Sequence, residues 1–572
     1  MQSMSDYYSA IQLRSDRWSA LREASVALTR AGKAKGSEAQ IKKINTLFDS
    51  LAPIEAYWAF PGVQAFDHIR RQFEHQNYQD AAYAIQRVAR GLATGAYRRR
   101  HVPLERGTET DDHEDEAIQS LEARALAKPY FEVMIVDDVN EHQERWLKSN
   151  FARMRRMEDP FHYETVVVPS LQDALIGVLF NHNIQAIVVR PGLIMESKIE
   201  LSILTRYLNR AGGINMIEAL SPEDYGPELC RLIARVRPEL DAYLVTDRSV
   251  EDIAGLDLGI CRRVFYNQED FLELHLNILR GVQARNKTPF FTALVEYSKQ
   301  PTGVFHAMPI SRGKSISRSH WIQDMGAFYG PNIFLAETSA TSGGLDSLLE
   351  PHGPIKEAQE LASRAFGSKQ TYFATNGTST CNKIVVQALV RPGDIVLVDR
   401  DCHKSHHYGM VLAGAQVVYL DSYPLNEYSM YGAVPLREIK HQLLQLKAAG
   451  KLDRVRMLLL TNCTFDGIVY NVERMMEECL AIKPDLVFLW DEAWFAFARF
   501  GPTYRQRTAM NAANTLRERL RTEDHATAYA AQQEELKDAD EEALLSTRLL
   551  PPPGSRVRVY ATQSTHKTLT SL

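Results

Sequence analysis

Twice along this chain short apolar runs alternate with stretches of helical periodicity, and a parallel sheet covered by helices is the arrangement that satisfies such a pattern. The first series begins near Tyr130, with runs at 133–136, 165–168 and 186–189 and helical stretches at 141–154 and from Ser170. The second begins after Pro351, with runs at 371–375, 395–398, 416–420, 457–460 and 486–490. Helical stretches follow at 380–390, near 405–413, after Pro435 and after Val472. Two α/β domains are therefore expected. Between them, residues 286–350 are rich in Gly, Ser and Pro with little periodicity, and read as a linker. Ahead of the first series the spacing is helical: Trp18, Leu21 and Leu28, then Phe66, Ile69 and Phe73, then Ala81, Ile85, Val88 and Leu92 recur at three- and four-residue intervals. The expected division is a helical region over 1–128, a first α/β domain over 129–285, the linker, and a larger α/β domain over 351–572.

A length of 572 residues with 45% hydrophobic content supports several cores of this kind. The net charge of −5 provides no global field for nucleic acid or an anionic membrane, so partners must be argued from local sites. Arg98, Arg99 and Arg100, followed by the acidic run 111–116, read as a solvated connector. Six scattered cysteines without a CxxC pair suit reduced thiols, and no apolar run reaches the roughly 18 residues of a membrane helix. A cytoplasmic protein is expected.

The first α/β segment opens with Val133, Met134, Ile135, Val136, Asp137 and Asp138, which resembles the start of a response-regulator receiver, where paired acids hold magnesium. The phosphate-accepting carboxylate expected after the third strand is replaced by Arg190. A structural flavodoxin-like module is therefore expected, without phosphorelay chemistry.

In the second α/β segment three motifs carry chemistry. Thr375, Asn376, Gly377, Thr378, Ser379 and Thr380 lie between a run and a helix, so free N–H groups and hydroxyls converge there. They form either an anion cradle or a plain helix cap. Asp491 ends an apolar strand, where a carboxylate points into the ligand crevice of a parallel sheet or caps the next helix. Lys567, within Ser564, Thr565, His566 and Lys567, follows the short strand 557–561. It could be a phosphate contact, a surface charge or an amine poised for a Schiff base. Together the three supply what pyridoxal phosphate (PLP) needs: a phosphate site, an acid for its ring nitrogen and an amine for its aldehyde.

These motifs, with Asp399 to Ser405, Ser347 to Glu350, and Gly353 and Pro354, resemble the signature segments of the bacterial ornithine/lysine/arginine decarboxylases over about 331–572. That family has the aspartate-aminotransferase fold preceded by a flavodoxin-like wing. The resemblance implies Gly377, Thr378 and Ser379 at the phosphate with Ser564 and His566 close by, the His403 ring against the cofactor ring, and Ala493 on its face. It also implies Asp491 at the ring nitrogen, Lys567 on the aldehyde carbon, a basic amino acid as substrate, and a homodimer or larger ring. Cys402, His403, His406 and His407 lack the spacing of a metal set, and no metal is expected.

Three departures accompany the resemblance. The family's Gly-His-Met turn stands here as Phe305, His306, Ala307, Met308 and Pro309, and residues 503–550, free of Gly and Pro, read as an inserted long surface helix or helix pair. The sequence stops at Leu572, shortly after Lys567, so the cofactor domain is expected to be incomplete. An aminotransferase or aldolase on the same fold, and a non-catalytic scaffold or regulatory paralogue, are the competing readings.

Overall fold

The computed structural model describes residues 2–31, 37–99, 102–105, 128–198, 220–256, 258–266, 268–301, 303–305, 308–317, 319, 324–338 and 345–571. Arg100, the acidic run 111–116, His306 and Ala307 lie outside the described residues. The chain forms two compact units, Met1–Lys287 and Thr288–Leu572.

In the first unit, helices Gln2–Ala31, Ser37–Glu55, Val63–Glu74 and Tyr78–Thr94 bury one stripe each. Trp18, Leu21, Leu28, Phe66, Ile69, Phe73, Ala81, Ile85 and Val88 meet in one apolar cluster, as their spacing requires. Inside it, the buried Arg14 guanidinium donates to both carboxylate oxygens of Glu55 at 2.7 and 2.8 Å, and Trp18 Nε1 donates to the same carboxylate at 2.8 Å. Charge pairing and hydrogen bonding together make this ion pair tolerable in an apolar surround.

The same unit carries strands β1 (Tyr130–Val136), β2 (His162–Val168), β3 (Ile184–Val189), β4 (Asp241–Thr246) and β5 (Cys261–Tyr266). All pair in parallel in the order β2-β1-β3-β4-β5, the flavodoxin-like order. Glu132 in β1 fastens this sheet to the helical region. Its fully buried carboxylate accepts from Ala59 N at 3.1 Å, Asn181 Nδ2 at 2.8 Å, Asn183 Nδ2 at 3.1 Å and the Tyr130 hydroxyl at 3.0 Å. Burial pushes this carboxyl up, and the four donors pull against that shift without cancelling it. Glu132→Ala would take this acceptor from the Ala59 N–H and the Tyr130 hydroxyl, while the Asn181 and Asn183 amides keep Tyr57 O and the Tyr97 hydroxyl, and is expected to lower unfolding stability by about 2 kcal/mol, read from the urea midpoint of the full-length protein. An unchanged midpoint would show that these bonds contribute nothing net.

At the end of β1, Arg190 pairs with Asp137 through Nη1 and reaches Glu269 through Nε at 3.1 Å, while Lys198 holds Asp138 at 2.8 Å. A tethered guanidinium thus sits on the acid that would bind magnesium. Incubation with acetyl phosphate and magnesium is expected to leave this domain unmodified. A stable acyl phosphate on Asp137 or Asp138 in mass spectra would overturn that reading.

The second unit begins with helices. Pro289–Lys299, Lys314–Ser317, Asp324–Tyr329 and Asn332–Leu335 occupy the stretch that precedes the sheet. The buried Arg312 donates to the carbonyls of Tyr297, Ser298 and Gln300 at 3.1, 3.0 and 2.9 Å, closing the C-terminus of the first of these helices. Strands follow as β6 (Ile395–Asp399), β7 (Gln416–Leu420), β8 (Pro424–Leu425), β9 (Met430–Tyr431), β10 (Val455–Thr461), β11 (Val487–Asp491) and β12 (Arg558–Thr562). Five of them form a parallel sheet in the order β12-β11-β10-β6-β7, and β8 and β9 make a separate antiparallel hairpin. Alternation along β11 divides the core. Val487 and Leu489 pack toward Val386 and Met410 of the helices Thr378–Leu389 and Lys404–Ala413, whereas Phe488 and Trp490 pack with Met476 and Leu516 on the other face.

Two expectations about secondary structure are corrected. Residues 371–374 form no strand: Tyr372 is 72% exposed and has no neighbouring strand to pair with. The segment 503–550 is neither one helix nor a pair. It holds helices Ala509–Arg519, Glu523–Glu535 and Glu541–Ser546, because Thr522 and Asp540 each cap a new start by accepting from the N–H of His525 and Ala543 at 3.2 and 2.9 Å. Part of it is core, with Ala509, Ala512, Ala513 and Leu516 buried. Its end is fixed by the buried Lys440, which donates to Glu478 at 2.8 Å and to the Thr547 carbonyl at 2.7 Å.

Candidate active site

Parallel strands end together, so whatever follows each strand faces one rim of the sheet. At that rim β10, β11 and β12 place Thr461, Asp491 and Thr562 side by side in register. Asp491 is buried, and no helix starts immediately after it, so it is not a helix cap. Its Oδ2 accepts from His406 Nε2 at 2.8 Å and Asn382 Nδ2 at 3.0 Å, and its Oδ1 from the Ala493 N–H at 3.0 Å. Burial works to raise this carboxyl, but these hydrogen bonds, the one from His406 foremost, outweigh it and hold Asp491 below the ordinary carboxylate range. The acid stays ionised in a buried place. Among the described residues neither lysine nor arginine pairs with it.

Asn382 ties the cluster together. It sits one turn beyond Thr378 on the same helix face, donates to Ser405 Oγ at 3.0 Å and to Asp491, and accepts from the Thr562 hydroxyl at 2.6 Å. Asn376 and Gly377 both adopt positive φ, 67° and 69°, which turns the chain sharply into the helix Thr378–Leu389. Gly377 is its N-cap and offers no side-chain bond to the first amides, so a helix N-terminus opens there without an internal anion. A Cβ on Gly377 would lie 3.6 Å from His566 Cε1, so the loop after β12 faces this turn. The hydroxyls of Thr378 and Ser564, both buried, hydrogen-bond across the same gap.

Lys567 is partly exposed and its Nζ lies 4.7 Å above the Trp494 ring, a cation–π contact that turns the amine toward the segment after Asp491. His403 is exposed and caps its helix: its Nδ1 accepts from Ser405 N at 3.2 Å and contacts Ser405 Oγ at 2.8 Å. Loss of part of its hydration holds the imidazole below its ordinary value, against the field of Asp491, while the Lys567 cation pushes the same way as the dehydration. The Cys402 thiol, 3.5 Å from His407 Nε2, is pushed up to about 12 by burial and carries no thiolate character. Among the described residues no group of three or more His, Cys, Asp and Glu converges as a metal set would. Ser379 and Ala493 lie at the first helical turn and directly after the acid pair, and Ala493 is buried.

The structure thus gathers Gly377, Thr378, Ser564 and His566 at one end of the rim and Asp491 and Ala493 at the other, with His403 and Lys567 within electrostatic reach of each other. Sequence reasoning did not single out Asn382 or Thr562, and considered His406 for metal alone. The four-residue step from Thr378 to Asn382 was the available signal. Glu492 was also missed: buried, it accepts from Asn462 at 2.9 Å, Ala509 N at 2.7 Å and Gln563 at 2.9 Å, and burial pushes its carboxyl up. The adjacent acids are split, Asp491 serving the rim and Glu492 anchoring the helix that starts at Ala509.

A parallel sheet whose strand ends combine an open helix N-terminus, a buried ionised acid and a lysine could hold a phosphate-bearing aldehyde cofactor such as PLP. Residues 288–524 match the family described as Orn/Lys/Arg decarboxylase, major domain. Over this stretch the chain is similar to the Orn/Lys/Arg decarboxylases, a family whose members depend on PLP. It is 35% identical over 298 residues to the lysine decarboxylase LdcA of Pseudomonas aeruginosa, covering 50% of this chain and 39% of that protein. It is 32% identical over 231 residues to the biodegradative arginine decarboxylase of Escherichia coli K12 (39% and 30%) and 29% identical over 279 residues to that organism's constitutive ornithine decarboxylase (47% and 38%). The chain therefore spans well under half the length of these relatives. No helix among the described residues is long and apolar enough to cross a membrane.

Proposed function

We propose that the full protein is a cytoplasmic, homo-oligomeric PLP enzyme that decarboxylates a basic amino acid. The observation that carries this reading is the buried, ionised Asp491, which no lysine or arginine of the described residues neutralises. A charge so placed calls for a cationic partner, and a protonated pyridine nitrogen is one. The rest of the rim fits the same group. Thr378, Ser379, Ser564 and His566, with the open amides after Gly377, would hold its phosphate, and His403 and Ala493 would bound the ring. Lys567 would bind its aldehyde carbon.

When bound, PLP supplies a sink for the electron pair released as CO2 departs. Asp491 would favour a proton on the ring nitrogen, which would keep that sink open. Asn382 and Thr562 fix the acid's orientation, so it does not rotate toward water. Lys567 would supply the amine that holds the cofactor's aldehyde carbon. The exposed Tyr408, Val411 and Leu412 on helix Lys404–Ala413 support self-association of this domain.

Full-length protein given lysine, ornithine and arginine in turn is expected to release CO2 with cadaverine, putrescine or agmatine. A keto acid in stoichiometric yield would replace this reading with an aminotransferase.

A further inference from the structure

We infer that His406 is a positioning residue that meets Asp491 as a neutral imidazole, donating Nε2–H, and not as an imidazolium forming an ion pair. This rests on the reading of Asp491 as the partner of the cofactor nitrogen and states what keeps that acid's charge available. His406 is completely buried, with Nε2 2.8 Å from Asp491 Oδ2 and 3.2 Å from Asn382 Nδ2. Among the described residues its Nδ1 has no hydrogen-bond partner.

Those contacts decide among three forms. An imidazolium would bury an N–H at Nδ1 with no acceptor, and an orphaned donor on a charged ring is the costliest buried polar group. The tautomer protonated on Nδ1 would orphan the same donor and also press the Nε2 lone pair against a carboxylate oxygen. The tautomer protonated on Nε2 leaves only a bare acceptor at Nδ1 and gives Asp491 a donor. Asn382 Nδ2 and His406 Nε2 then point side by side at the same oxygen, which explains their 3.2 Å approach. Of the groups facing His406, Asn382 comes from helix Thr378–Leu389, Asp491 from the end of β11, and His403 from just ahead of its own helix. Because the donor is neutral, Asp491 keeps a whole negative charge for the ring nitrogen; a cationic His406 would cancel it.

The test uses full-length protein labelled with 15N-histidine, with and without PLP, the His406 signals being assigned by their loss in His406→Gln. One pyridine-type and one protonated pyrrole-type nitrogen at neutral pH, with the proton on Nε2, are expected in both states. Two protonated nitrogens, or a proton on Nδ1, would overturn the inference. In parallel, PLP affinity and the absorption band of the bound cofactor are followed in two variants. His406→Leu is expected to bind PLP roughly tenfold to hundredfold more weakly, as loss of a hydrogen bond to a charged group implies, with a shifted band. His406→Gln, which offers a neutral N–H, is expected to recover most of both. Failure of the glutamine variant to recover either, with its melting temperature unchanged, would count against a neutral-donor role. An intact imidazole signature in a protein that releases no CO2 would instead sink the decarboxylase reading and leave His406 as assigned.

Discussion

Lys567→Ala is expected to abolish turnover of the full-length enzyme, by at least about 10^4-fold, because it removes the amine assigned to the covalent step. The lysine is partly exposed, with Nζ 4.7 Å over Trp494, and follows the strand that pairs with the one bearing Asp491. Its removal costs little packing, so the variant should fold with a near-native melting temperature while losing its chemistry. Borohydride reduction of the wild-type holoenzyme, followed by peptide mapping, is expected to leave a pyridoxyl group on Lys567. A tag on Lys383 or Lys404, or substantial turnover by the alanine variant, would remove Lys567 from the mechanism.

The second large effect concerns Asp491. In Asp491→Ala the site keeps its phosphate end but loses the charge that holds a proton on the ring nitrogen. Electrostatic contributions of this kind are worth ~3 kcal/mol, so turnover should fall at least about a hundredfold. Cofactor binding should weaken far less. The sign with pH follows from the direction of the shift. Asp491 is held below the ordinary carboxylate range, so its contribution to folding is complete above that range and is lost as pH falls through its depressed value. Asp491→Ala is therefore expected to flatten the acid limb of the stability profile. Near-normal turnover in this variant would count decisively against the assignment.

How much of this was legible beforehand depended on whether a feature is local. The apolar runs that became β6, β10 and β11 announced themselves, because a strand buried on both faces needs uninterrupted apolar residues. Asp491 and the turn at Gly377 were legible for the same reason: each stands where a local pattern changes. Residues 371–374 misled, since Thr371, Tyr372 and Phe373 have the composition of a strand, but β structure exists only with a neighbour to pair with. The partners of Asp491 were illegible. His406 and Asn382 lie 85 and 109 residues away, and nothing in one sequence records which distant polar groups will meet. The breaks in the 503–550 segment come from Thr522 and Asp540, capping residues that a reading by Gly and Pro alone passes over.

The bond between Thr562 and Asn382 spans 180 residues of chain, and the helices from Ala509 to Ser546 intervene in sequence between β11 and β12. Closing loops of that length is entropically expensive and slow compared with forming the helices and the β6-β10-β11 core. Until β12 docks, the carboxylate at the end of β11 has a bare edge beside it, and both the Ser564 hydroxyl and the Lys567 amine are elsewhere. The site thus exists only where β12 is paired with β11, and it depends on a contact made across a long span of chain.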